Sequence, residues 1–474
     1  MGQTPLKRTL GDVLRDRWDD SWLIGPSSKN FWQQLETLTP VFAAYRKSCS
    51  EAGVLIAEVD PLHFLVICLA AWSEGCVVVL ANPRWGQQER QQVTDMVAPE
   101  WDAPLASRLG AYPCQVPGTE PGQILIPTGG SSGHIKFAVH TWETLMTSVE
   151  GFRAHFGIDR VNSYCVLPLF HVSGLMQGLR VLASGGCLVL QPYGDLKAGA
   201  RLTLPPDGFL SLVPTQLQDL LALGDEFAPW LQHFQAVLLG GAPAGRSLLD
   251  QAQAAQIPVA LTYGMTETAA QVATLRPADF LAGHRSSGRP LPHVDLSILN
   301  HQHQPQPAGH PGQLVIRSDS LALGYLRSTG LQNAEKHLIT DDIGYLDEAG
   351  YLHVVGRSST KIITGGENVF PEEIETALLA IAGIVDACVV GVPCDRWGQQ
   401  LCALVVVKSP TRLKTLPEFL KPLVASYKLP KQWILVDALP RTAQGKLNRF
   451  QVLALAKWIL NSKITPVVKQ DVSP

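Results

Sequence analysis

The chain has little charge and no surplus of either sign. Charged residues are 17% of its 474 positions, and 38 Lys and Arg stand against 41 Asp and Glu, a formal net charge of −3. Without a cationic excess there is no field to neutralise a run of phosphates, which excludes an electrostatically driven nucleic-acid binder. The nine cysteines (Cys49, Cys68, Cys76, Cys114, Cys165, Cys187, Cys388, Cys394 and Cys402) are scattered, odd in number and never spaced C-x-x-C. Neither a disulfide framework nor a thiolate zinc site is expected, and a reducing cytoplasm suits them. No apolar run reaches the roughly 20 residues of a membrane span, because the most apolar stretch, His63 to Ala81, is broken by Ser73-Glu74-Gly75. Gly11 to Asp20 is heavily charged where a signal peptide would be apolar, so secretion is not expected. Fixed-period repeats and low-complexity tracts are also missing. What is present, 46% hydrophobic residues with 41 Gly and 34 Pro, reads as a globular, turn-rich protein of roughly two to four domains.

The pattern along the chain is α/β. FLVICLAAW is helix-like, SEG a turn and CVVVLANP a β-branched strand. QILIPT (123–128), SYCVLPL (163–169), GCLVL (186–190), GFLSLVP (208–214), AVLLGG (236–241) and IPVALTYG (257–264) are further short apolar strands, most separated by helical-length segments. Such alternation predicts largely parallel sheets covered on both faces. Near Gln313 the texture changes, and DDIGYLDEAGYLHVVGR reads as an antiparallel hairpin turning at Asp347 to Gly350. After Arg357 a polar segment leads to Gly365-Gly366 and to a helix that Pro371, Glu372 and Glu373 would start well. A domain boundary is expected there, with residues 358–474 forming a small α+β domain.

Four segments carry chemistry. Thr128-Gly129-Gly130-Ser131-Ser132-Gly133-His134-Ile135-Lys136 follows a strand directly and combines glycines that admit an anion, hydroxyls that donate to it and a lysine charge. It is a phosphate cradle without the Walker pattern, and an ordinary polar turn would share its composition. Leu261 to Thr268 places Tyr263, Gly264, Thr266 and Glu267 at a strand's end next to an expected helix. That offers an aromatic face, a hydroxyl and a carboxylate for Mg²⁺, although a capped helix start reads the same way. Asp342 with Arg357 suits ribose hydroxyls and a phosphate, and Arg441 to Lys446 supplies cations. Taken singly, these two read equally as a turn carboxylate and a solvated loop.

In this order, with GGAP (240–243), GGENVFPEEIE (365–375) and RTAQGKLNR (441–449), the motifs resemble the ANL adenylating superfamily of acyl-CoA synthetases, peptide-synthetase adenylation domains and luciferases. The resemblance runs from about Asn82 to Arg449. LPLFHVSGL (167–175), SLVPTQL (211–217) and the GGENVFPEEIE wording are most similar to the 2-succinylbenzoate–CoA ligase branch of menaquinone and phylloquinone biosynthesis. The resemblance implies an N-terminal adenylation core over 1–357, including a distorted β-barrel subdomain, and a mobile C-terminal domain over 358–474 that carries a catalytic lysine. It further implies ATP, Mg²⁺ and CoA as cofactor and co-substrates, a small carboxylic acid as substrate, and neither a nucleic-acid partner nor a membrane span.

By the same resemblance, Thr128, Gly130, Ser131, Ser132, Gly133 and Lys136 contact the ATP β and γ phosphates, and Gly240, Gly241, Ala242 and Pro243 flank an adenine on which Tyr263 stacks beside Gly264. Thr266 holds the α-phosphate, Glu267 the Mg²⁺, and Asp342 the ribose hydroxyls with help from Arg357. Lys446 reaches the acyl carboxylate and α-phosphate, while Gly365 and Gly366 border the pantetheine tunnel. An acid with a second carboxylate needs polar groups beside an apolar wall, for which His171, Ser173, Ser211, Thr215 and Gln216 are the candidates; His171 also reads as a bonded core histidine. Several positions depart from the family pattern. Gly129, Ser131, Ser132 and Ile135-Lys136-Phe137 alter the phosphate loop, Asp341 stands where Gly is common, and the hinge position falls on Ser359. Alternative functions are a synthetase for another aryl or medium-chain acid and a catalytically silent nucleotide-binding homologue; retention of Glu267, Asp342 and Lys446 argues against the latter.

Overall fold

The computed structural model describes residues 8–25, 30–49, 51–102, 110–129, 135–224, 226–328, 337–364, 367–394, 397–408, 416–441, 447–462 and 467–469. Contacts divide the chain into two compact units. One comprises Met1–Gly241, Gln256–Leu296 and Val315–Leu338, the other Ala242–Ala255, Ser297–Leu314 and Ile339–Pro474.

In the first unit the apolar run forms the helix Pro61–Ser73. Pro61 sits in its first turn, and the Asp60 carboxylate accepts the His63 N–H at 2.8 Å. Every residue from Phe64 to Trp72 is buried, so this helix needs no polar face. Gly75, at φ +76°, then turns the chain into the strand Val77–Leu80. Among the described residues no helix is long and apolar enough to cross a membrane.

The larger sheet has six parallel strands in the order Leu23–Ile24, Leu188–Leu190, Asn162–Cys165, Gly208–Leu212, Ala236–Leu239 and Val259–Met265. Ala270–Thr274 and Arg289–Pro290 extend it antiparallel. Parallel neighbours need crossovers, which helices such as Val172–Ser184 and Pro214–Ala222 supply, and the central strands are buried along their whole length. The segments that follow Cys165, Leu212, Leu239 and Met265 therefore emerge side by side at the carboxyl ends of adjacent strands, the edge where such sheets bind ligands.

The second sheet runs Gly324–Tyr325, Ile135–His140, Ile124–Gly129, Val77–Leu80, Ala52–Ile56 and Ala111–Gln115. It is parallel only at its centre and antiparallel at both edges, so the expectation of largely parallel sheets holds for the first sheet and not for this one. Residues 130–134 are too few for a crossover, and Ile124–Gly129 and Ile135–His140 have to pair as a hairpin. The N-terminal residues complete these sheets: Leu23–Ile24 pairs with Leu188–Val189, and Ala52–Ile56 with Val77–Leu80.

A four-stranded sheet is ordered Asp295–Leu299, Gly312–Arg317, His337–Leu346, Leu352–Arg357. The expected distorted β-barrel is corrected to this open sheet: its first and last strands are not neighbours among the described residues, and four strands leave two edges that a barrel would join. Contacts group residues 339–357 with the C-terminal segment. Leu352–Arg357 runs straight into the turn Ser358–Thr360, and Gly356 lies so close to Glu372 and Phe370 that a Cβ would come within 2.6 Å and 3.1 Å of them.

In the C-terminal sheet, Ile384–Cys394 and Gly398–Val407 form a long antiparallel hairpin. Alternation assigns its two faces. Ala387, Val389, Leu401, Ala403 and Val405 pack with Ile374 and Leu378 of the helix Pro371–Leu379, while Cys388, Val390, Val392, Cys402 and Leu404 pack with Val452 and Ala456 of Arg449–Ser462.

Candidate functional site

The described candidate residues lie on the strands of these sheets or in the segments that follow them. Thr128 and Lys136 are directly opposite in the hairpin, so residues 130–134 lie between two paired strand ends. Gly130, Ser131, Ser132 and Gly133 fall outside the described residues, as do Gly365, Gly366 and Lys446. On the strand Ile135–His140, Phe137 and Val139 point into an apolar cluster with Trp85, Val93 and Leu125. Alternation puts Lys136, Ala138 and His140 on the opposite face. His140 is fully buried, its Nε2–H donates to the Thr266 carbonyl at 2.8 Å, and its Nδ1 lies 3.0 Å from the Thr144 hydroxyl.

Thr266–Thr268 is a single 3₁₀ turn followed by a strand, not by the expected helix. Two features force the chain back. Ala269 and Ala270 have φ +55° and +96°, and Gly264 approaches the returning strand so closely that a Cβ would lie 2.0 Å from the Ala270 oxygen. Four consecutive carbonyls of this turn each accept a hydrogen bond from another segment. Thr266 accepts from His140, Glu267 from the Ala322 N–H at 2.8 Å, Thr268 from the Ser320 hydroxyl at 3.2 Å and Ala269 from the Ser148 hydroxyl at 2.7 Å. Such satisfaction offsets the strain of the positive φ angles and fixes where the Glu267 side chain begins. That side chain is buried, and its Oε1 accepts the Tyr325 phenol at 2.6 Å. Tyr263 is half-buried on the preceding strand, before a bulge at Gly264.

Burial pushes the His140 imidazole down to about 4, and His155 and His293 likewise, in each case chiefly through desolvation. An unfolded histidine titrates near 6.5, so between about pH 4 and 6.5 the unfolded chain binds more protons. The stabilisation is complete above that window and is lost as pH falls through it. Stability is therefore expected to fall by roughly 1 kcal/mol per pH unit for each histidine on acidification from pH 7 to 4.5, and the thermal midpoint to drop with it. A midpoint that stays flat by scanning calorimetry would contradict the buried neutral rings.

The candidates for holding an acid share one edge of the larger sheet. His171 stands at the N-cap position of the helix Val172–Ser184 after strand Asn162–Cys165, its ring 4.5 Å from that of Phe170. Ser173 is exposed in that helix's first turn. Ser211 is buried on Gly208–Leu212, with exposed Thr215 and half-buried Gln216 just beyond it. The Gln216 amide oxygen accepts the Val213 N–H at 3.1 Å, so part of this side chain serves the helix Pro214–Ala222. Gly240 and Gly241 follow the next strand. A Cβ on Gly240 would lie 2.3 Å from the Thr262 hydroxyl, and Gly241 has φ +82°. Ala242 and Pro243 continue from it, exposed.

In the second unit Asp342 is buried directly opposite Arg357, whose Nε donates to its Oδ1 at 3.0 Å. Asp341 is exposed, because neighbours on a strand face opposite sides, and its carboxylate accepts both the N–H at 3.1 Å and the hydroxyl of Ser359. The two departures from the family pattern thus satisfy each other. Tyr325, His140, Ser148 and Ser320 have no local signal in the sequence; each reads there as an ordinary polar residue of an apolar segment.

Residues 98–326 match the family model described as AMP-binding enzyme, and residues 373–446 that of the AMP-binding enzyme C-terminal domain. The chain is 37% identical over 336 residues to a 2-succinylbenzoate–CoA ligase of Geobacillus sp. (strain WCH70), covering 69% of this chain and 68% of that one. It is 36% identical to a 2-succinylbenzoate–CoA ligase of Oceanobacillus iheyensis, covering 68% and 67%. The O-succinylbenzoate coenzyme A synthetase of Bacillus subtilis, solved in complex with ATP and magnesium ion, superposes with a TM-score of 0.74 at 26% identity, over 89% of this chain and 94% of that one.

Proposed function

The chain belongs to the family of AMP-binding enzymes, and we propose that it is an ATP-dependent acid–CoA ligase acting on 2-succinylbenzoate. The observation that carries this reading is the Thr266-Glu267 turn, braced on four carbonyls beside the Thr128–Lys136 hairpin. The turn carries a hydroxyl and a buried carboxylate and is bonded through the Thr266 carbonyl to His140 of that hairpin, and the relatives at 36% and 37% identity are ligases of that acid.

In the first half-reaction a carboxylate oxygen of the acid attacks the ATP α-phosphorus, the bond to the β-phosphate oxygen breaks, and diphosphate leaves. In the second, the CoA thiol, giving up its proton, attacks the acyl carbon of the mixed anhydride, and AMP leaves. No nucleophilic side chain takes part. Thr128, Gly130 to Gly133 and Lys136 hold the outer phosphates, Gly240 to Pro243 and Tyr263 with Gly264 hold the adenine, and Thr266 the α-phosphate. Asp342 accepts the ribose hydroxyls, its orientation set by Arg357. Mg²⁺ takes few carboxylates and fills its remaining positions with water and phosphate oxygens. Glu267 fits as that carboxylate: it is buried at a strand end, and no cluster of three or more His, Cys, Asp or Glu competes among the described residues. Bound there, Mg²⁺ would neutralise charge on the phosphates. Lys446 bridges the attacking carboxylate and the α-phosphate. His171, Ser173, Ser211, Thr215 and Gln216 line the acid, with its second carboxylate among them. Residues 358–474 act as a mobile domain that withdraws Lys446 after adenylation and brings Gly365 and Gly366 to the pantetheine. The reaction is assigned to the cytoplasm, where ATP and CoA are held and where nine free thiols stay reduced.

AMP release with ATP, Mg²⁺ and CoA across 2-succinylbenzoate, benzoate, a medium-chain fatty acid and an amino acid tests the assignment. Preference for 2-succinylbenzoate with its CoA thioester as product is expected. Preference for another acid would replace the substrate and keep the chemistry, while ATP binding without turnover on any of them would favour a silent homologue.

A further inference from the structure

Glu267 and Lys136 are brought to one side chain by the short strand Gly324–Tyr325. It pairs antiparallel with Ile135–His140, Tyr325 opposite Ala138, and is secured by the Leu323 N–H on the Val139 carbonyl and the Leu326 N–H on that of Phe137. Tyr325 therefore shares the face of Lys136, Ala138 and His140. The methyl group of Ala138 leaves room for its ring to lie along the strand. At one end of that ring the phenol donates to Glu267 Oε1 at 2.6 Å, and over its face stands the Lys136 ammonium, 5.1 Å from the centroid. The turn's backbone is already fixed by its four accepted hydrogen bonds, so what remains free is the long Glu267 side chain itself. Among the described residues the phenol is the hydrogen-bond partner of that carboxylate.

We propose that Tyr325 is a positioning residue for both groups: its hydroxyl sets the Glu267 carboxylate for the metal, and its ring seats Lys136 for the phosphates. The proposal rests on the reading of Glu267 as the Mg²⁺ carboxylate and Lys136 as a phosphate lysine. A phenol held on one carboxylate oxygen leaves the second for the cation and removes the rotamers that would turn both away, the usual work of a group behind a metal ligand. A cation above an aromatic face keeps its charge while being restrained in position.

The test compares Tyr325→Phe, Tyr325→Leu and Glu267→Gln with the unaltered protein. Mn²⁺ binding to the complex with a non-hydrolysable ATP analogue is followed by electron paramagnetic resonance, and analogue affinity is measured separately in chelator. Tyr325→Phe keeps the ring and removes the hydroxyl, so Mn²⁺ should bind about tenfold or more weakly, with metal-free analogue affinity within about twofold of the unaltered protein. Tyr325→Leu should lose the same metal affinity and a further roughly two- to fivefold in metal-free analogue affinity. If Glu267→Gln weakens Mn²⁺ binding and Tyr325→Phe does not, the positioning role is wrong and the metal reading stands. If Glu267→Gln leaves Mn²⁺ binding intact, both fall. Parallel losses of Mn²⁺ affinity, analogue affinity and thermal midpoint in Tyr325→Phe would make the tyrosine merely structural and also overturn the proposal.

Discussion

Replacing Lys446 by alanine is expected to slow acyl-adenylate formation by about 10²- to 10³-fold while slowing thioester formation from supplied acyl-adenylate far less. Attack of a carboxylate on the α-phosphate drives two anions together, and at about 4 Å with an effective dielectric near 20 their repulsion is about 4 kcal/mol. A lysine bridging the two offsets that repulsion where the charge accumulates, and the second half-reaction has no such encounter. Lys446 itself lies outside the described residues, but its flanks are well anchored. Arg441 and Leu447 pair as an antiparallel bridge, and the Asn448 N–H donates to the Pro440 carbonyl at 2.9 Å. Arg441 is ion-paired with Asp386, and Arg449 with Glu375 and Glu372 at 2.6 Å and 3.1 Å. Rapid-quench measurement of the two half-reactions separates them; an equal loss in both would take the lysine out of the adenylation step.

The second large effect is expected for Glu267→Gln, which should lower Mg²⁺-dependent turnover by roughly a hundredfold or more with the fold retained. The substitution removes a full negative charge from a buried position while keeping size and shape. An amide oxygen can still accept the Tyr325 phenol, so that donor keeps its partner and the thermal midpoint should move little. Raising Mg²⁺ should recover part of the loss, because the phosphates and water supply the remaining ligands. Kinetics over a wide Mg²⁺ range decide it: a titration curve superimposable on that of the unaltered protein would remove Glu267 from the metal site.

Much of this was readable along the chain. The run FLVICLAAW became the helix Pro61–Ser73, the DDIGY…HVVGR segment became the hairpin His337–Leu346 with Leu352–Arg357, and Pro371 opened its helix. In each case the decisive forces, burial periodicity, turn chemistry and capping, act over a few residues. The misreadings have the opposite character. The TET segment carries the marks of a helix start, yet it turns back because Gly264 lies against Ala270 and because hydroxyls from distant segments hold its carbonyls. The open four-stranded sheet depends on which edges find partners, and no window of sequence contains that choice.

For the site, the sequence by itself determined the candidate groups and their order along the chain: the hydroxyl and lysine loop, Tyr263, Thr266, Glu267, Asp342, Arg357 and Lys446. It also determined the strand ends on which many of them sit, since alternation and turn residues are local properties. Only the tertiary structure decided how they are aimed. Tyr325 meets Glu267 across 58 positions, His140 meets Thr266 across 126, and the Asp341 carboxylate finds Ser359 while that of Asp342 finds Arg357. These contacts follow from strand pairing and register, which depend on the topology of the whole sheet and leave no imprint on the residues next to them in the chain.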